Sequence, residues 1–207
     1  HDRAQYLLNP ETGNYHPTAQ LLMENVVAKR LKTLANQCDL YDENANSAYC
    51  SAVKELPYEL TKKQTEAITT CLDNAVSCIT GGAGTGKTTL VKEGISKILG
   101  RDFAFIALGG ATDSSFLEGH SYTYEGSTWG KIVEILIQTK NMNPVIYFDE
   151  LDKLSDTPKG EELTGILTHL TDTSQNNKFH DKYFAEIDFD LSKVLFIFSY
   201  NVHNWHD

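Results

Sequence analysis

Residues 81–88 read GGAGTGKT, with glycine at four of the first six positions and then Lys87 and Thr88. A phosphate chain can be wrapped by backbone N–H groups only where no side chain blocks the approach. Glycine supplies that room and the positive φ angles of the wrap. The spacing satisfies G-x-x-x-x-G-K-[ST] at Gly81, Gly86, Lys87 and Thr88. The expected nucleotide-binding stretch is Gly81, Gly82, Ala83, Gly84, Thr85, Gly86, Lys87, Thr88 and Thr89. The Lys87 ammonium is expected to reach the β and γ phosphates of ATP, and the Thr88 hydroxyl to ligate Mg²⁺. The competing explanation is a glycine-rich turn before a helix, with an incidental lysine.

A second constellation lies at 145–150, where the apolar run VIYF ends in Asp149 and Glu150. Acids at the carboxyl end of a buried parallel strand stand where ligands bind in open α/β sheets. Asp149 is suited to the Mg²⁺ shell, and Glu150 to orienting or deprotonating the attacking water. Alone, the pair would equally suit a strand end before the charged start of a helix. Asn201 follows the apolar run KVLFIFSY at 193–200. It stands where a side chain can reach a γ phosphate or its water, or simply begin a turn.

The elements that must position these residues alternate. A strand-like run at 76–79 precedes the glycine loop. Helical spacing runs from Lys87 to Leu99 and ends at Gly100, and DFAFIAL at 102–108 has strand composition. Residues 109–127 are rich in Gly, Ser and aromatics and too long for a simple connection, a property of functional loops. Helical spacing resumes at 129–138 and 161–170, and residues 171–190 are polar. Alternation of strand and helix predicts a parallel sheet. Upstream, Leu21, Leu22, Val26, Val27 and Leu31 predict one amphipathic helix to about residue 35. Residues 36–56 read as a polar linker. A helix after Leu60 carries Ala67, Ile68, Cys71 and Leu72 on one face, and Thr61 stands three residues before Gln64. That pair forms either a capping box or, as L-T-x-x-Q, an element resembling the adenine contact of superfamily-one DNA helicases.

The chain has 207 residues, 41% hydrophobic content and a formal charge of −10. This acidity leans away from nucleic acid, with a local basic groove as the remaining route to it. No apolar run approaches the roughly 18 residues that cross a membrane, and no signal peptide is legible, so a cytoplasmic location is expected. Cys38, Cys50, Cys71 and Cys78 form no C-x-x-C pair and read as reduced thiols. His203 and His206 lack further ligands for zinc and read as a solvated tail. Without an initiator Met or a recognisable terminal element, the chain reads as a piece of a longer protein.

From about Asp102 to Asn201, the segments FIALGGATDSSFLEGHSYTYEGSTWGKIVEIL, NPVIYFDELDKL and SQNNKFHDKYFAEIDFDLSKVLFIFSYN resemble the ATPase module of Lon-type AAA+ proteases in order and spacing. The wording is similar to Lon-like proteins of large DNA viruses, so host cytoplasm is the implied location for a viral member. The resemblance implies an α/β P-loop NTPase of AAA+ type, a three-layer sandwich with a mostly parallel sheet in order 5-1-4-3-2, preceded by an α-helical segment. The implied division is 1–57 for that segment and 58–207 for the core. Also implied are a hexameric homo-oligomeric ring binding ATP between subunits, a polypeptide substrate, Asn201 as sensor 1 and Tyr124 as the pore-loop aromatic, against its alternative as a packed loop tyrosine. Glu125 stands where the family usually has an aliphatic residue, and Trp129 where it has proline. The family's serine–lysine protease site has no counterpart in these residues, and the arginine finger and lid would lie beyond Asp207. Residues 58–90 look more like the start of an exonuclease V type helicase. The leading expectation is therefore Mg²⁺-dependent ATP hydrolysis driving work on polypeptides. Its rivals are a DNA helicase or translocase and a nucleotide-gated assembly module.

Overall fold

A computed structural model describes residues 6–8, 13, 15–36, 51, 53–54, 59–73, 77–81, 84–111, 113–123, 125–154 and 158–200. The chain divides into two compact units, His1–Ser47 with Tyr58–Thr80, and Ala48–Pro57 with Gly81–Asp207.

In the first unit an antiparallel pair, β1 (Tyr6–Leu8) and β2 (Tyr15–Pro17), leads into α1 (Thr18–Asn36). The pair was not legible in a stretch without periodicity. The Val26, Val27 and Leu31 side chains of α1, three positions of its expected apolar face, are exposed. The second helix, α2 (Lys62–Asp73), begins in a capping box. The Thr61 N–H donates to Gln64 Oε1 at 2.9 Å, and the Gln64 N–H donates to Thr61 Oγ1 at 3.3 Å. Each side chain thereby satisfies a backbone donor that has no intrahelical partner. Cys71 and Cys78 are free thiols, and burial pushes the Cys71 thiol up, partly offset by its hydrogen bond with Ser77.

The strand expected at 76–79 is corrected: residues 77–80 adopt no regular structure and belong to none of the described sheets. Apolar content alone does not make a strand, because a strand needs a ladder partner for its backbone groups. Here the Ser77 hydroxyl instead donates to the carbonyl of Thr70, near the end of α2, at 3.3 Å.

The second unit is built on a parallel sheet of β3 (Phe103–Ala107), β4 (Val145–Asp149) and β7 (Leu195–Phe198), with β4 in the centre. This is the neighbour relation expected for strands 2, 3 and 4 of the 5-1-4-3-2 order. Val145, Ile146, Tyr147 and Phe148 are all buried, so both faces of β4 are covered, as parallel sheets require. On one face Ile146 and Phe148 pack with residues of α5 (Lys131–Thr139) and α6 (Pro158–Thr171). The Phe148 ring stacks on Phe198 at 5.1 Å. On the other face Tyr147 meets Phe103 and Phe105 at ring distances of 6.3 and 6.0 Å. Tyr147 and Phe148, both buried, each contribute about 1.5–3 kcal/mol.

The helix after the glycine loop, α3, is α-helical over Lys87–Thr89, widens to a π-helical stretch over Leu90–Ile95 and returns to α over Ser96–Ile98. Gly100 follows at φ 61°, the left-handed geometry that ends helices. Residues 109–127 are not a plain loop: a 3₁₀ turn at Leu108–Gly110 and a short helix, α4 (Ser115–Glu118), lie within the stretch or at its edge. The polar run 171–190 contains a small antiparallel pair, β5 (Phe179–His180) and β6 (Asp188–Phe189). Among the described residues no helix is long and apolar enough to cross a membrane.

A buried carboxylate closes the neck of the aromatic loop. Asp181 is fully buried; its Oδ2 accepts the Gly130 N–H at 2.7 Å and its Oδ1 accepts the Tyr183 N–H at 2.9 Å. The Lys182 N–H donates to the Glu118 carbonyl, and the His120 N–H to the Thr128 carbonyl, which draws the two ends of the loop together. Trp129 lies edge-on to Tyr183 and stacked on Phe184, so the indole occupies an aromatic seat beside this neck. Asp181→Ala strands two backbone donors and should cost on the order of 3 kcal/mol in stability, read from the urea midpoint. An unchanged midpoint would show that water replaces the carboxylate.

Candidate nucleotide-binding site

The described part of the glycine loop has the backbone that its composition demands. Gly84 and Gly86 have φ of 73° and 82°, angles at which a β-carbon is strained. Gly81 lies against the Thr85 side chain: a β-carbon at Gly81 would fall 2.6 Å from Thr85 Oγ1. The Lys87 Nζ donates to the Gly81 carbonyl at 2.7 Å, so the lysine lies back across the loop that it follows. Lys87 and Thr88 are half-buried, while Thr85 and Thr89 are exposed. The first helical hydrogen bond runs from the Leu90 N–H to the Gly86 carbonyl at 2.8 Å. The N–H groups of the preceding turn therefore lie outside the helical ladder, at the positive end of the helix dipole, which suits them to an anion. Gly82 and Ala83 lie outside the described residues.

Asp149 and Glu150 stand at the carboxyl end of β4, in the same compact unit, and both are half-buried. The Asp149 Oδ1 accepts the Glu150 N–H at 3.1 Å. Glu150 adopts φ 61° and ψ 45°, the left-handed region, which is uncommon for a residue with a β-carbon and concentrates at functional sites. The peptide between Glu150 and Leu151 is held at both its N–H and its carbonyl. The Leu151 N–H donates to the Ser199 carbonyl at the tip of β7, and the Lys153 N–H to the Glu150 carbonyl. Asn201 and Tyr124, the expected sensor and pore-loop aromatic, lie outside the described residues. Sequence reasoning missed the neighbour of Glu150 in the turn after β3, Gly109, whose only signal was the Gly109–Gly110 pair directly after an apolar run. It also missed Asp181, which nothing in the polar run singles out.

The model of the ATPase family associated with various cellular activities (AAA) matches residues 77–204. The chain belongs to the AAA family of ATPases. The module is of the Lon type. It is 45% identical over 124 residues to a Lon protease homolog of Acanthamoeba polyphaga mimivirus, covering 59% of this chain and 12% of that protein. Identity to a Lon protease of Clostridium acetobutylicum is 40% over 146 residues, 70% of this chain and 18% of the relative. With a Lon protease of Clostridioides difficile it is 37% over 188 residues, 91% of this chain and 23% of the relative. The chain thus spans less than a quarter of these curated relatives. The last alignment leaves so few residues out that it runs through 58–90, the helicase-like stretch.

AAA membership makes ATP the nucleotide of this module and ATP hydrolysis the activity that the family implies for it. For Mg²⁺ the donor set fits: a threonine hydroxyl and a carboxylate are hard oxygen donors, and this ion takes one or two protein groups besides phosphate and water. Among the described residues no cluster of three or more His, Cys, Asp or Glu side chains competes as a metal site. Gly86→Ala forces a β-carbon into the left-handed region and should weaken ATP binding roughly tenfold, at a strain of about 1–2 kcal/mol. Calorimetric titration with ATP measures this, and unchanged affinity would mean that Gly86 φ plays no part in the cradle.

Proposed function

We propose that this chain is the ATPase core of a Lon-type ring motor that hydrolyses ATP with Mg²⁺ to unfold or translocate polypeptides. The observation that carries the reading is the presence, in one compact unit of an AAA member, of a G-x-x-x-x-G-K-T loop and an acid pair ending the central strand. In this reading the loop from Gly81 to Thr89 holds the phosphates, and Lys87 neutralises charge on the β and γ groups. Thr88 and Asp149 would hold Mg²⁺, which supplies charge stabilisation to the phosphates. Glu150 orients the water; its oxygen bonds to the γ phosphorus as the bond to the β-phosphate oxygen breaks, and the water's proton passes to Glu150 or to the departing phosphate. Asn201 senses the γ phosphate, and Tyr124 grips substrate in the pore.

The assembly is a homo-oligomeric ring, hexameric by the Lon resemblance, acting in the cytoplasm, or in host cytoplasm for a viral member. The core extends over 58–207 with 1–57 as a leading segment, and proteolysis is assigned to no residue of this chain. A DNA translocase is the lesser reading. The capping box at Thr61 and Gln64 and the Lon alignment through 58–90 both favour the polypeptide motor.

Lys87→Ala removes a charge-assisted contact and should weaken ATP binding about ten- to a hundredfold. Glu150→Gln should keep ATP bound while turnover falls about 10²- to 10⁴-fold. Retained turnover in Glu150→Gln would remove this residue from the catalytic role. Tyr124→Ala should weaken ATP-dependent binding of a labelled unfolded protein about fivefold or more, read by anisotropy. Unchanged binding would make Tyr124 a packed loop residue.

A further inference from the structure

The carboxylate of Glu150 does not extend freely from the end of β4. It lies across the backbone of Gly109, in the turn that follows the neighbouring strand β3. A β-carbon built on Gly109 would coincide with the space of Glu150 Oε2 and lie 3.4 Å from both Glu150 Cδ and Lys153 Cβ. Gly110, the next residue of the same turn, has no atom within 4 Å of an equivalent β-carbon. Neither glycine has a positive φ. The need for glycine at 109 is therefore steric and specific to the acid, rather than a need for unusual backbone.

We infer that Gly109 is a positioning residue for Glu150: its missing side chain is the space in which the acid rests. This rests on the reading of Glu150 as the group that handles the attacking water. The Glu150 carbonyl accepts from Lys153 and the next N–H, of Leu151, donates to Ser199, so a side chain at 109 cannot be accommodated by sliding the strand end. The overlap is with the far end of a flexible side chain, which yields by changing rotamer. Alanine at 109 therefore leaves the fold in place and moves the carboxylate. Because the displaced group is not a phosphate ligand, the loss falls on kcat and not on nucleotide affinity.

The test compares Gly109→Ala, Gly110→Ala, Glu150→Gln and Glu150→Asp, the last with and without Gly109→Ala, in the full-length protein. Steady-state ATPase, binding of a slowly hydrolysed ATP analogue and thermal melting are read for each. Gly109→Ala should lower kcat about ten- to a hundredfold, the scale of an ångström-sized misplacement, with the analogue's Kd within about twofold of the parent. Gly110→Ala should match the parent in all three. In the Glu150→Asp background, where the acid is one methylene shorter and withdraws from Gly109, adding Gly109→Ala should change kcat by less than about threefold.

Equal kcat in Gly109→Ala and Gly110→Ala overturns the inference, as does an equal loss in both Glu150 backgrounds. Loss of folded protein in Gly109→Ala overturns it too, since the overlap is then relieved in the backbone and not at the acid. If Glu150→Gln keeps turning over, the catalytic reading fails and this inference falls with it. If Glu150→Gln is inactive while Gly109→Ala behaves as Gly110→Ala, the inference alone fails.

Discussion

Burial of β4 on both faces decides where two carboxylates end. Val145 and Tyr147 face one side, Ile146 and Phe148 the other, and none of the four is more than 2% exposed. With β3 and β7 hydrogen-bonded along its two edges, the strand can slide in register only by exposing its apolar side chains. Asp149 and Glu150 therefore leave the core at a fixed place. Half-buried acids at that place, rather than on a surface loop, keep their geometry when a ligand arrives.

The chain then departs from relaxed geometry at the residue where its chemistry is assigned. Glu150 is one of two described non-glycine residues with positive φ, the other being Lys140 at the end of α5. At Lys140 the left-handed backbone closes a helix, an ordinary use of that conformation. At Glu150 it reverses the chain at the end of a buried strand and turns the side chain toward the end of β3. The strain, of order 1–3 kcal/mol, is held by the flanking backbone bonds to Ser199 and Lys153. The glycine loop solves a similar problem differently, with Gly84 and Gly86 removing the side chains that would object.

What was legible in the sequence was whatever local chemistry dictates. The glycines of the loop, the apolar strand before the two acids and the Thr61–Gln64 box each specify their own backbone within a few residues, and the described ones take the conformation their types require; the left-handed turn at Glu150 does not follow from its type. The strands at 103–107 and 145–149 were legible from their apolar, aromatic and β-branched content, although β4 is buried over residues 145–148 while β3 is buried only at Ile106. The rest depended on partners far away in sequence. Residues 77–80 have strand composition without a described ladder partner, and the β5–β6 pair arises in a polar run from its cross-strand hydrogen bonds. Asp181 draws its importance from Gly130, 51 residues away. Nothing in a lone aspartate announces such a pairing. The meeting of Gly109 and Glu150 is likewise a product of β3 lying beside β4.

The central claim is that ATP hydrolysis on this core is coupled to polypeptide. The most direct measurement is the ATPase rate of the full-length protein alone, with an unfolded protein, and with single-stranded DNA. The account predicts stimulation by the unfolded protein and none by DNA. Stimulation by DNA alone would contradict it, and would turn attention to Gln64 and the segment before the glycine loop.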